Sequence, residues 1–205
     1  ENKVMSLKTR FGNLGNILDF DNLTEENIYV LDSPILTNSQ FKKFKKFFSK
    51  KIKVIDCTFD IQNSLKDRIE AIREEVETAV REGSTCIVLS DKDFSSQKAS
   101  IPSILTVGAV HSHLVKHGLR GYCSLNVECS DALDTHSFAV LIGVGATTVN
   151  PYLALDSIYQ RFEKKLFGKS DFESCVVKFK KSIDAGLLKI MSKMGISVIS
   201  SYRGG

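Results

Sequence analysis

Four histidines, two acidic residues set just past apolar runs and five cysteines are the side chains of this 205-residue chain best suited to chemistry. His113 and His117, four residues apart in a predicted helix, share one helix face, the spacing at which two imidazoles can meet a metal ion. The sequence sets no acidic residue beside or between them at ligand spacing, so no metal is assigned to them and they read as packed or surface histidines. His136 stands apart. Asp91 and Glu128 follow apolar runs, and with His111 they are the acid/base set that a small strand-end enzyme site would draw on. Gly143 and Gly145 resemble part of a phosphate loop, but position 148 is Thr and the glycines precede a predicted strand, so they cap and turn. No GxSxG elbow, Walker sequence or CxxC pair occurs. Cys57, Cys86 and Cys123 fall in predicted strands, where a thiol acts as a small buried hydrophobe. That usage points to a reducing, cytoplasmic setting rather than to disulfides.

The elements that must position these residues alternate between apolar runs and amphipathic stretches. Residues 28–31, 53–58, 85–89, 122–127, 146–149 and 196–199 read as strands. Helices are expected after a Thr37–Gln40 capping box, after Ser64 with its stripe of Leu65, Ile69, Ile72, Val76 and Val80, from Pro102 to His117, and over 133–142, 153–167 and 171–194. Gly83 suits a left-handed helix end, and Gly186 is expected to kink or divide the last helix. Residues 4–11 read as a short helix, 12–16 as a glycine turn and 92–100 as a long polar loop. Strand–helix alternation with near-continuously apolar strands means a parallel sheet covered by helices. About six such units fall short of the eight of a complete barrel. The expected fold is therefore one α/β domain over 1–205, a partial or distorted (β/α) barrel-like unit. Asp32, Asp60, Asp91, Glu128 and Asn150 fall just past strand ends, where such folds place function.

Composition narrows the class. Hydrophobic residues at 42% and charged residues at 25% fit a globular domain. No apolar run approaches the roughly 20 residues of a membrane span. The net charge of +4 owes much to Lys42, Lys43, Lys45, Lys46, Lys50 and Lys51 around Phe41, Phe44, Phe47 and Phe48. That pattern is an amphipathic helix with its aromatics inward and its lysines solvated, not a nucleic-acid surface. The chain opens Glu-Asn-Lys-Val and stops soon after a predicted strand, so an excised segment of a longer protein is expected.

Specific words then carry more than periodicity. They are VMSLKTRFG from Val4, LDSPIL from Leu31, IVLSD from Ile87, GAVHSHL from Gly108, HSFAVLIG from His136, NPYL from Asn150, GLLKIMSKMGIS from Gly186 and SYRG from Ser201. In this order, over nearly the whole chain, they resemble the central domain of glutamate synthases, of the large (alpha) subunit or ferredoxin type. Two departures stand out: Gly12 is followed by Asn13 where many members have Pro, and the 163–170 linker is short. The resemblance implies a connecting α/β domain, related to the flavin barrel and without a cofactor of its own. Its neighbours in the parent chain would be a glutaminase domain and an FMN domain with an iron–sulfur cluster. A small electron-transfer subunit or ferredoxin would supply electrons, and ammonia would pass inside the protein to make glutamate from glutamine and 2-oxoglutarate. No catalytic, cofactor-binding or metal-binding residue of the family maps onto this stretch. Polar residues of the matching words are the candidates for inter-domain or ammonia-path contacts: Asp91, Glu128, Asn150, Lys189, Lys193 and Arg203. The competing expectation is a stand-alone barrel enzyme using Asp91, Glu128 and His111.

Overall fold

The computed structural model describes residues 4–11 and 29–205. In chain order the elements are β1 (Thr9–Phe11), β2 (Tyr29–Leu31), α1 (Asn38–Phe47), β3 (Ile52–Asp56), β4 (Thr58–Asp60) and α2 (Leu65–Arg81). There follow β5 (Cys86–Ser90), β6 (Lys98–Ser100), α3 (Ser103–Lys116), β7 (Ser124–Glu128), α4 (Thr135–Gly143), β8 (Thr148–Asn150), α5 (Tyr152–Glu163) and α6 (Phe172–Met194). The local signals in the sequence account for most helix starts. Thr37 closes the expected capping box with Gln40, and the Ser64, Asp134 and Asp171 side chains each accept the backbone N–H three residues on. Gly83 and Gly195 take the positive φ that ends a helix.

The central sheet is parallel and runs β3-β5-β7-β8. Residues 34–36 extend it past β8: Ile35 pairs with Val149, and Leu36 N donates to the Val149 carbonyl at 2.9 Å. The sheet is open among the described residues, so the barrel-like α/β unit is partial, as expected. β5 and β7 are buried at every position because both sheet faces are covered. On one face Ile55, Ile87, Leu89, Leu125, Val127 and Val149 join the core made with α2, α3, α4 and α6. Alternate residues point the other way, and there Cys86 and Val88 pack with Leu36 and with Phe41, Phe44 and Phe48 beneath α1. Each of these rings contributes about 1.5–3 kcal/mol by burial, so α1 is a fixed cover over that face.

Tertiary contacts overrule the sequence in five places. Part of the expected helix at 4–11 is strand instead, since Thr9–Phe11 finds an antiparallel partner in β2. The expected polar loop at 92–100 contains β6, which pairs with β4. The expected sixth strand at 196–199 is reduced to one parallel bridge, Ser6 to Val198, followed by a 3₁₀ turn at Ile199–Ser201, because among the described residues a single residue of chain is its ladder partner. Gly186 does not divide the last helix: α6 is continuous, and a Cβ at 186 would stand 2.4 Å from Thr135 Cγ2. That glycine lets α6 approach α4. Finally, Phe47 is half-exposed at 49% beside Tyr29, and Lys45 is not solvated outward but turned inward. The glycine turn at 12–16 lies outside the described residues.

Candidate functional site

The parallel register brings Asp91, Glu128 and Asn150 together at the C-terminal edge of the sheet, since Ser90 pairs with Glu128 and Glu128 with Asn150. All three are buried. Glu128 Oε2 accepts the Ser90 hydroxyl at 2.8 Å, and its Oε1 faces Lys92 Nζ at 3.7 Å and Lys45 Nζ at 3.9 Å. Two ammonium groups therefore balance the carboxylate over the mouth of the sheet. Asp91 Oδ2 accepts from Ser100 Oγ at 2.8 Å and from Ser130 N and Oγ at 3.0 and 2.6 Å. It thereby ties β6 and the loop after β7 to the end of β5. Its other oxygen, Oδ1, and the Tyr152 hydroxyl are both buried without a hydrogen bond of good geometry. Burial first, and then the Asp91 charge, push the Tyr152 phenol well above its ordinary range. Lys92 Nζ lies 5.3 Å over the Tyr152 ring. Asn150 Nδ2 donates to the Leu36 carbonyl and to Asn38 Oδ1, both at 3.0 Å, joining β8 to the start of α1. One register down, Asn126 donates to the Ile87 carbonyl at 3.1 Å and accepts from Thr148 at 2.7 Å.

His111 is not part of this group. It sits at the opposite edge, where Arg120 Nε donates to His111 Nδ1 at 3.1 Å and Arg120 also binds the carbonyls of Cys123, just before β7, and Gly145, just before β8. A five-residue strand spans roughly 16 Å, so the Asp91, Glu128 and His111 set of an acid/base site is not assembled. Gly145 is required here: its φ is +126° and a Cβ would meet His111 at 2.4 Å. Arg203 shares this edge. Burial and then the Arg120 charge lower its guanidinium to about 10, and burial followed by Arg120 and Arg203 lowers the His111 imidazole. Gly204 N donates to the Gly143 carbonyl at 2.8 Å, which fixes the last residues against the end of α4. Lys189 and Lys193 are exposed on α6.

The remaining histidines lie on the helical surface. His136 borders, with Asp131, Ser137 and Ile104, an open cleft of about 270 Å³. His113 Nε2 is 2.6 Å from Glu77 Oε2 on α2, and the Glu77 carboxyl is held low by Arg81 first and His113 second. All five cysteines are buried and free, with burial pushing the Cys123 thiol up to about 11 and those of Cys57, Cys86 and Cys129 higher still. Sequence reasoning missed Lys45, Lys92, Ser100, Ser130, Tyr152, Glu77 and Arg120. Lys45, Lys92, Ser130 and Glu77 reach their partners across tens of residues, and Ser100 and Arg120 reach Asp91 and His111 across nine, so no local spacing announces them. The nearest signal was Tyr152 in the NPYL word.

No helix among the described residues is long and apolar enough to cross a membrane. Residues 1–205 match the family model described as the glutamate synthase central domain. The chain is 52% identical over 208 residues to the glutamate synthase (NADPH) large chain of Azospirillum brasilense, covering all of this chain and 14% of that protein. It is 38% identical over 219 residues to the chloroplastic ferredoxin-dependent glutamate synthase of Spinacia oleracea, again over its full length and 13% of the relative. Among solved structures, a mutant flavocytochrome b2 with benzoylformate aligns at a TM-score of 0.52 and 17% identity, over 80% of this chain and 36% of that one. The recombinant flavin-binding domain of baker's yeast flavocytochrome b2 aligns at 0.51 and 19%, over 82% and 37%. At those identities the likeness is one of fold alone.

Proposed function

The chain belongs to the glutamate synthase central domain family, and from that premise we propose that it is the connecting domain of a glutamate synthase, joining a glutaminase domain to an FMN and iron–sulfur synthase domain. In this reading it helps to frame the passage of ammonia between the two sites while the whole protein, a cytoplasmic oxidoreductase, makes glutamate from glutamine and 2-oxoglutarate. The chain spans 14% of the Azospirillum relative's length, which suits one domain of several. A small electron-transfer subunit or ferredoxin would be the whole protein's electron source, and FMN and the cluster would sit in its other domains.

The observation that carries this reading is how the sheet's C-terminal edge is used. In barrel-like folds that edge holds the reacting groups. Here Asp91, Glu128 and Asn150 are buried and engaged in tying β6, α1, residues 34–36 and the loop after β7 to the strand ends. The sheet face beneath them is filled by the phenylalanines of α1. A carboxylate that accepts three hydrogen bonds from its own fold is a brace, and the polar residues at this edge serve rigidity. Rigidity is what a spacer between two coupled sites requires. Lys189 and Lys193, exposed on α6, and the partly buried Arg203 end are the residues we assign to inter-domain contact.

The test is the isolated chain. Purified and mixed with FMN, it is expected to emerge colourless from gel filtration and to release no ammonia from glutamine. Retention of stoichiometric FMN would overturn the reading in favour of a flavin enzyme in its own right.

A further inference from the structure

His113 lies in the last turn of α3 and His117 is the residue that caps its C-terminal end, with ring centroids 4.2 Å apart. Glu77 arrives from α2, whose Val76 and Val80 share the core with Val110 and Leu114 of α3. The packing of the two helices, independent of the histidines, sets where the carboxylate meets them. The potential ligand atoms of Glu77, His113 and His117 all lie within 4.8 Å of one another.

We propose that these three side chains form a binding site for one divalent ion of the zinc, cobalt or nickel class, clipping α2 to α3 on the domain surface. Two further details favour ligation over a simple surface cluster. His117 Nδ1 lies 2.8 Å from the His113 carbonyl. A carbonyl only accepts, so Nδ1 carries the proton and Nε2 keeps its lone pair for a metal. Arg81 holds the other Glu77 oxygen through Nε at 2.8 Å and Nη2 at 2.7 Å, as an outer-shell partner orients a ligating carboxylate. A tetrahedral ion with bonds of about 2.0–2.1 Å keeps its ligand atoms roughly 3.3 Å apart. The 2.6 Å contact of Glu77 with His113 must therefore open by about 0.7 Å while His117 closes in, movements that side-chain rotation supplies. His117 is exposed, which leaves an entry path and a fourth position for water. Two imidazoles and one carboxylate suit zinc-class ions better than calcium or magnesium, which prefer all-oxygen shells. The cysteines do not compete, being buried.

Calorimetric titration of the 205-residue chain with ZnCl2, in chelator-free buffer at neutral pH, tests the site. Co2+ titration followed by visible absorption reads the geometry. One equivalent is expected to bind with micromolar affinity or better, with a tetrahedral-type cobalt spectrum and a rise in Tm. Glu77→Gln and His117→Ala, both at accessible positions, are expected to weaken binding by about tenfold or more with unchanged circular dichroism, and His136→Ala to leave it intact. Absence of saturable one-equivalent binding in the micromolar range would overturn the proposal. So would binding that survives in a His113→Ala/His117→Ala double variant.

Discussion

Replacing Gly186 by alanine separates two forces of known sign. In an unobstructed helix the change stabilises by about 1 kcal/mol, because glycine loses more backbone freedom on folding. In α6 the new Cβ would stand 2.4 Å from Thr135 Cγ2, 2.7 Å from its Oγ1 and 3.1 Å from its Cβ. Rotating Thr135 about χ1 moves the first two atoms but not the third, so α4 and α6 must part. Overpacking of this kind costs about 1–3 kcal/mol. The steric term wins at its midpoint, and Gly186→Ala is expected to destabilise by about 1 kcal/mol, or to lower Tm by roughly 2–4 °C for a chain of this size. Urea unfolding at constant m-value is the assay. Thr135→Gly, which clears the clash, should turn the same Gly186→Ala change into a gain, a coupling that a double-mutant cycle reads directly. A Gly186→Ala protein more stable than its parent would refute the close-approach account.

Three further outcomes follow from the same geometry. Asp91→Ala removes an acceptor of three hydrogen bonds in a fully buried setting, so a loss of about 3 kcal/mol by urea unfolding is expected, whereas a loss below about 1 kcal/mol would show that the brace is idle. Tyr152→Phe deletes a buried hydroxyl that lies against the Asp91 carboxylate and Ser130 without a hydrogen bond of good geometry, and is expected to change stability by less than about 1 kcal/mol; a larger loss by urea unfolding would mean that the hydroxyl is fully satisfied. The folded-state pKa of His111 is depressed, so the unfolded chain takes up this proton first as pH falls through about 6.5. Stability from this group is complete above that pH and declines below it, and His111→Asn is expected to flatten the fall in Tm between neutral and mildly acidic pH.

Many strands and helix ends were legible in the sequence because their causes are local: β-branched runs, Thr37 and Ser64 at N-caps, and Gly83 at positive φ. The three strand-end residues Asp91, Glu128 and Asn150 were legible for the same reason, since a parallel register aligns strand ends whatever the partners are. What each end residue contacts was not. Lys45 belongs by spacing to a solvated lysine face, yet its position on α1, laid across the sheet, carries it to Glu128. Glu77 is one acid among several in α2 until α2 packs on α3. The run at 196–199 has strand-forming residues but, among the described residues, a single bridge to Ser6 to pair with, and Gly186 looks like a helix breaker until Thr135 is placed against it. In each case long-range packing decides, and single-residue preferences carry no information about it.

The most direct test of the connecting role measures coupling in the whole glutamate synthase chain that carries this domain. Lys189→Glu and Lys193→Glu are introduced together on the exposed face of α6 assigned to inter-domain contact, and glutamine hydrolysed is compared with 2-oxoglutarate consumed. The account predicts that both half-reactions persist when assayed separately while the ratio rises above one and free ammonia appears in solution. A ratio that stays at one, with no ammonia released, would contradict it.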